Sequence, residues 1–232
     1  MKILALEFST SQRSVAVVQP GEEAAKAGEG ASHASKRLAF SEVVEAGGRA
    51  TQAFALIEAA LRQAQVEREQ IECLAIGLGP GSYMGIRVGI ALAQGWQLAN
   101  GVKLLGVSSA DCIAAQAQAE GVEGNVAVVI DAQRGEFYLA NYAVSAKDWR
   151  EVQPLRLATL DEVTHCVRAG DVPVGPEVAK WFPAGRMVFP RASMLGRIAS
   201  NRTEFVSGEK MEPIYLRETT FVKAPPLRII PD

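Results

Sequence analysis

Two stretches of the chain, about half its length apart, repeat one pattern: strand, acidic residue, Gln-Arg turn, strand. They read "ILALEFSTSQRSVAVV" from Ile3 and "VAVVIDAQRGEFYLANY" from Val126, and their acids are Glu7 and Asp131. A β-rich run on each side of a short polar turn predicts a hairpin. Two such hairpins predict a duplicated chain of two similar lobes, each beginning with its own hairpin.

Between and after the hairpins, helical and strand patterns alternate. Apolar residues at helical spacing predict helices over residues 51–65, 83–100, 108–120 and 192–202. Short β-rich runs predict further strands over residues 41–47, 73–77, 103–107, 172–177 and 186–190. This alternation is typical of an α/β protein. We predict a first lobe of residues 1–105 with 206–232, and a second lobe of residues 106–205.

Composition excludes several classes of function. A net charge of −2 and a pI of about 5.8 disfavour a domain that binds nucleic acid alone, so any RNA contact needs a partner that supplies most of the positive charge. Only His33 and His165 are available for a zinc site or a His-dependent nucleophile, which is too few. Three scattered cysteines without a CxxC motif predict buried thiols in a reducing compartment; they are Cys73, Cys112 and Cys166.

The expected location is the cytoplasm. The apolar run at the N-terminus is too short for a signal peptide and leads directly into a strand pattern. No apolar stretch of the sequence is long enough to cross a bilayer, so no membrane association is expected.

The glycine-rich run "GLGPGSYMGIRVG", which starts at Gly77, has two interpretations. As a phosphate loop it is poor, because it lacks the Walker lysine, does not fit GxGxxG, and has Pro80 where an N–H could donate. A helix N-terminus can still attract an anion. The residues that would contact a nucleotide or anion are Gly79, Gly81, Ser82 and Arg87.

The second interpretation is packing. Gly85, Gly89 and Ala93 form a small-residue stripe on a helix whose only charge is Arg87, and a helix that is apolar nearly all round is buried on more than one side. The helix over 51–65 is similarly poor in charge, so the two could form an apolar platform for another protein. The predicted contact residues are Phe54, Glu58, Arg62, Gly85, Ile86, Gly89 and Ala93. The alternative is that both helix faces are buried within this chain.

Two charged side chains leave alternatives open. Arg87 could meet an anion or a partner's carboxylate, or it could form an internal ion pair with Glu7 or Asp131. Asp131 ends a buried strand, where it could bind a metal or phosphate. Because Arg134 and Gly135 follow in a tight turn, a turn-capping role for Asp131 is favoured.

Five segments, in this order, resemble the TsaB (YeaZ) family. They are "ILALEFSTSQRSVAVV", "GLGPGSYMGIRVGIALAQGWQL", "GVSSADCIAAQ", "DAQRGEFYLANY" and "PIYLRE". The resemblance implies the actin-like ATPase and sugar-kinase fold, with an RNase-H-like sheet in each of two lobes. It also implies a role in making threonylcarbamoyladenosine in tRNA.

The resemblance further implies a non-catalytic subunit that binds TsaD, the protein that transfers the threonylcarbamoyl group, through its helical platform. The pair would then recruit the ATPase TsaE, and tRNA would be met only through the complex. A homodimer is expected in isolation. No intrinsic cofactor is expected, and ATP or ADP is a candidate only at the partner interface. The alternatives are a nucleotide-hydrolysing or sugar-kinase-like enzyme of the same fold and a glycoprotease-like peptidase.

The sequence departs from the family pattern at three places. Glu7 and Phe8 stand where the family commonly has Asp-Thr, and Ala50 and Thr51 stand where it often has His-Ser. Residues 21–37 look like an insertion in the first hairpin.

Overall fold

The computed structural model describes residues 1–21, 38–46 and 52–217. His33, Ala50, Thr51 and nearly all of the predicted insertion lie outside the described residues, as do residues 218–232 of the predicted first lobe. The strands are β1 (Ile3–Glu7), β2 (Gln12–Pro20), β3 (Leu38–Ala46), β4 (Cys73–Gly77), β5 (Lys103–Val107), β6 (Gly124–Asp131), β7 (Glu136–Val144), β8 (Trp149–Thr159), β9 (Val172–Gly175) and β10 (Arg186–Met187). The helices are α1 (Ala53–Ala64), α2 (Tyr83–Asn100), α3 (Ser109–Ala119), α4 (Leu160–Arg168) and α5 (Ala192–Ala199).

The strands form two five-stranded sheets with the same topology. Their orders are β3-β2-β1-β4-β5 and β10-β9-β6-β7-β8. In each, three antiparallel strands come first in the chain and two parallel strands are then added beside the first of them. The hairpin β1–β2 therefore corresponds to β6–β7, and the predicted duplication and two-sheet α/β class are confirmed.

Helices cover both faces of each sheet. Alternate β1 side chains point to opposite faces: Leu4 and Leu6 pack in the core beneath α1 and α2, whereas Ile3 and Ala5 pack with α5. In the second sheet, α3 packs on one face and α4 on the other. Helices α3 and α5 also touch each other and lie between the sheets.

The predicted lobe boundaries need one correction. Helix α5 falls within residues 106–205, the predicted second lobe, but it packs across the first sheet. Its apolar side chains Ala192, Leu195 and Ala199 are fully buried among residues of that sheet. The sequence pattern showed an amphipathic helix here but not which sheet would cover its apolar face.

The duplication is broken at one connection. Between β4 and β5 the chain forms α2, a helix of 18 residues. Between the corresponding β9 and β10 it forms only a 3₁₀ turn of 3 residues, Val178–Lys180. The outer layer of the first lobe therefore contains a long helix for which the second lobe has no equivalent.

A carboxylate on β3 fixes the start of α5. Glu42 accepts hydrogen bonds from Nε and a terminal nitrogen of Arg191, at 3.2 and 2.8 Å, and from the backbone N–H and hydroxyl of Ser193. The helix dipole adds to this attraction, since a negative charge is favourable at a helix N-terminus. Edge strand β3 is in this way tied to the layer between the sheets.

We expect Glu42→Ala to lower the free energy of unfolding by about 2 kcal/mol, because it leaves a half-buried guanidinium and a helix N–H without their acceptor. The control is Glu58→Ala, which breaks an ion pair with Arg68 in which both side chains are half exposed. Such pairs contribute less than about 1 kcal/mol. Urea denaturation of both variants checks the difference, and equal losses would contradict it.

Candidate functional site

The small-residue stripe of α2 faces the chain's own sheet. A β-carbon on Gly85 would lie 2.0 Å from the Phe8 carbonyl oxygen, and one on Gly89 would contact Ile76. Ile86 and Ala93 are fully buried in the same core. The prediction that Gly85, Ile86, Gly89 and Ala93 contact a partner is therefore corrected: these residues let α2 approach β1 and β4 closely.

A second stripe runs along the outer side of α2. Its members are Met84, Val88, Ala91, Gly95 and Leu98, of which Val88 is half-buried and also packs against the chain's own core. They follow a 4-3-4-3 spacing, the a/d pattern with which two helices pack along a seam. Met84 is 67% exposed, Leu98 is 90% exposed, and a β-carbon on Gly95 would touch nothing within 4 Å. This stripe was not predicted, although its spacing is visible in the sequence.

Helix α1 lies beside α2 on the same sheet face and exposes the predicted residues. Phe54 is 69% exposed, and Glu58 and Arg62 are also exposed. Glu58 pairs with Arg68 at 2.6 Å, outside the helix. The part of the predicted surface on α1 is thus accessible, and its role in binding stays a prediction.

The glycine-rich loop is held by internal hydrogen bonds. The N–H of Gly79 donates to the Ser109 hydroxyl at 3.2 Å, and its carbonyl accepts from the Ser109 N–H at 2.8 Å. Gly79 is buried, so the prediction that it contacts an anion is wrong. Ser82 is the N-cap of α2, as its sequence position indicated: its hydroxyl accepts from the Gly85 N–H. Gly81 and Ser82 line a cleft between the lobes.

Glu7 lies fully buried behind this loop. One carboxylate oxygen accepts from the Ser9 N–H at 2.8 Å and the other from the Ser109 hydroxyl at 3.0 Å. Burial raises its pKa above the ordinary value of 4.5, although these hydrogen bonds oppose the shift. Gly77 must lack a side chain because the carboxylate occupies that space. The role of Glu7 is structural: its hydrogen bonds join the turn after β1 to the start of α3.

The cleft has a volume of about 750 Å³ and lies between the first hairpin turn, the start of α2 and the turn between β6 and β7. In that last turn, Asp131 accepts hydrogen bonds from the backbone and side-chain amide of Gln133, at 2.7 and 3.1 Å. The turn-capping interpretation of Asp131 is confirmed. Arg134, which follows it, is exposed on the cleft wall.

Arg87 pairs with neither Glu7 nor Asp131 among the described residues. Its guanidinium carbon lies 4.2 Å from the centre of the exposed Tyr83 ring, a cation–π contact. The predicted internal ion pair of Arg87 is therefore wrong, because this side chain points outward from α2 at the edge of the cleft. Contact with an anion or a partner stays a prediction.

A short segment near the end of the described chain closes one side of the cleft. The Ile214 N–H donates to the Leu78 carbonyl, and Tyr215 stacks on Tyr83. Arg217 crosses to the second lobe, where it donates to the carbonyls of Ala132 and Gln133 and pairs with Glu136. We call Ile214–Arg217 the strap. No periodicity in the sequence connects it with Tyr83, so its position was not predicted.

The thiols and histidines do not form a reactive centre in the part of the chain that is described. Cys73 and Cys112 are buried as predicted, and burial raises the pKa of Cys73 to about 12. Cys166 is only half-buried, and His165 lies exposed on α4. Within residues 1–21, 38–46 and 52–217, no three His, Cys, Asp or Glu side chains cluster as metal ligands would. None of the helices there has the length and apolarity needed to cross a bilayer.

Comparison with known proteins identifies related sequences. Residues 45–221 match the family described as TsaD, tRNA N6-adenosine threonylcarbamoyltransferase. The tRNA threonylcarbamoyladenosine biosynthesis protein TsaB of Escherichia coli is 30% identical over 173 residues, which cover 67% of this chain and 75% of that protein. TsaB of Haemophilus influenzae is 24% identical over 246 aligned positions, 97% of this chain and 98% of its own.

A solved structure shows the same fold. It is a Pseudomonas aeruginosa protein with similarity to peptidase YeaZ, and it superposes with a TM-score of 0.74 at 24% identity. The superposition covers 93% of this chain and 99% of the other.

Proposed function

The chain belongs to the TsaB (YeaZ) family of tRNA threonylcarbamoyladenosine biosynthesis, and we propose that it serves there as a non-catalytic scaffold. In this proposal it binds TsaD through the outer faces of α1 and α2, holds it in a competent state, and helps to recruit TsaE. The exposed 4-3-4-3 stripe of α2 is the observation that carries the proposal.

The stripe has the features of a helix-packing seam. It is apolar along its length, with small residues Ala91 and Gly95 at its centre and large residues Met84 and Leu98 near its ends. Small central residues let a second helix approach closely, and flanking apolar side chains bury area at both ends. Exposed Phe54 on α1 extends the apolar surface. Exposed apolar side chains grouped in this way are typical of a protein interface.

The internal contacts of the loop support the non-catalytic part of the proposal. The Gly79 amide and the Glu7 carboxylate, two groups that could serve nucleotide or metal chemistry, bond to other groups of the chain. We therefore assign no intrinsic cofactor. ATP or ADP is proposed only at the boundary with the partner, where Ser82 and Arg87 mark the start of α2.

We expect Leu98→Glu to weaken the complex with TsaD by about 100-fold, because packing would bury a carboxylate without a partner charge. Formation of threonylcarbamoyladenosine in the reconstituted system should fall with it. Leu98 is 90% exposed, so the variant should fold normally. Val152→Glu, on β8 of the second lobe and also exposed, is the matched control and should bind as the wild type does.

Two results would contradict the proposal. One is a folded Leu98→Glu variant that co-purifies with TsaD as the wild type does. The other is hydrolysis of ATP by the chain alone, which would favour an enzyme of the same fold. The same seam should form a homodimer in isolation, so sedimentation should show a wild-type dimer and a Leu98→Glu monomer.

A further inference from the structure

A pair of exposed aromatic rings stands at the mouth of the cleft. Tyr83, the first residue of α2, and Tyr215 of the strap stack with ring centres 5.6 Å apart and planes 26° from parallel. Tyr83 is 49% exposed and Tyr215 45%, so half of this stack is open to solvent. Exposed aromatic rings held by a rigid scaffold are the usual platform for unstacked nucleic-acid bases.

Two exposed arginines lie at the cleft. Arg87 lies over the Tyr83 ring, and Arg134 is exposed on the opposite wall of the cleft. Neither forms an ion pair with a described residue. Arg217, by contrast, already pairs with Glu136 and so ties the strap to the second lobe. Two cations without an ion-pair partner, at a cleft that also holds an aromatic stack, fit a ligand that is planar and anionic.

The interior of the cleft is roomy and carries polar side chains. Ser9, Thr10 and Ser11 of the first hairpin turn line one wall, and Gln133 lines another. The volume of about 750 Å³ is ample for one nucleoside and its phosphate.

We propose that the cleft mouth binds single-stranded RNA, with one unstacked base on the open face of Tyr215 and the adjoining phosphates at Arg87 and Arg134. The inference rests on the role in tRNA modification for its choice of RNA. It adds a direct contact between this chain and RNA, whereas the family resemblance implied contact with tRNA only through the complex. Because the net charge of the chain is −2, the contact should be weak and local rather than a grip along a duplex.

The test measures binding of a fluorescently labelled single-stranded RNA of about ten nucleotides to the full chain by anisotropy at several salt concentrations. Tyr215→Ala should weaken binding about tenfold. Arg134→Gln should lower the slope of log affinity against log salt by about 0.7. The matched control is Phe205→Ala, which removes another exposed aromatic ring with a cation over it, Lys103 at 4.7 Å. This control should bind as the wild type does.

The proposal is overturned if Tyr215→Ala and Arg134→Gln both bind RNA as the control does. It is also overturned if the chain alone binds ATP or AMP but no RNA, a result that would assign the cleft to a free nucleotide. Thermal denaturation of each variant shows that the fold is kept. TsaD is absent from this measurement. A failure to bind RNA therefore does not bear on TsaD binding by the Leu98→Glu variant, and a failure to bind TsaD does not bear on RNA binding.

Discussion

Replacing Gly85 with alanine is expected to lower the free energy of unfolding by about 3 kcal/mol. The added methyl carbon would lie 2.0 Å from the Phe8 carbonyl oxygen, well inside van der Waals contact. Both sides of this contact are constrained, since Phe8 is 1% exposed and α2 is fixed by Ile86 and Ile90 beneath it. Relief requires moving either the end of the first strand or the whole helix. Urea denaturation at neutral pH measures the loss.

The matched control lies on the opposite face of the same helix. Gly95 has no atom within 4 Å of the position that a β-carbon would take. Gly95→Ala should therefore raise the free energy of unfolding by about 1 kcal/mol, the difference in helix propensity. A Gly85→Ala variant as stable as the wild type would show that α2 does not approach the sheet as closely as described.

Raising the pH from 4.5 toward neutrality is expected to lower the stability of the protein through Glu7. Because burial raises the pKa of this carboxyl in the folded state, the unfolded chain loses the proton first as pH rises. The stabilising contribution is complete below pH 4.5 and disappears as pH passes through the folded pKa. Above that point the fold must hold a buried carboxylate, which no described lysine or arginine neutralises by an ion pair.

Glu7→Gln isolates this effect. The amide oxygen can still accept from the Ser9 N–H and its NH₂ can donate to Ser109, so the geometry is kept without the charge. We expect the variant to be about 2 kcal/mol more stable than the wild type at neutral pH, and less dependent on pH. The exposed Glu162 is the control of opposite sign. The backbone N–H of Thr159 lowers its pKa, so Glu162→Gln should lose stability at neutral pH. Parallel pH profiles for wild type and Glu7→Gln would refute the assignment.

The sequence was sufficient for the architecture because the fold repeats. Each hairpin carries its own alternation and turn, so β1–β2 and β6–β7 could be found independently and then compared. The sequence did not decide which face of α2 packs on the sheet. Residues 85, 89 and 93 and residues 84, 88, 91, 95 and 98 are both apolar or small at helical spacing, and either set could face the sheet. The glycines face the sheet because only a residue without a β-carbon leaves room for the Phe8 backbone.

The cleft could not be predicted because it depends on contacts between distant parts of the chain. Tyr83 and Tyr215 are separated along the chain by the whole of the second sheet, and each alone is an ordinary exposed tyrosine. The chain returns to the first sheet with α5, and Val206 then pairs with Leu104; this return brings the strap to the loop. Such a return is a property of the packed lobes, which local patterns do not encode.

The replacement of a long helix by a 3₁₀ turn in the second lobe limits how copies of this chain can assemble. A duplicated protein with α2 in both halves would offer two equivalent faces, and head-to-tail contacts between them could continue without end. With one such face for each chain, any self-pairing along α2 must be isologous, and the two-fold axis closes it at two copies. Loss of symmetry within the chain thus removes this one route to filaments.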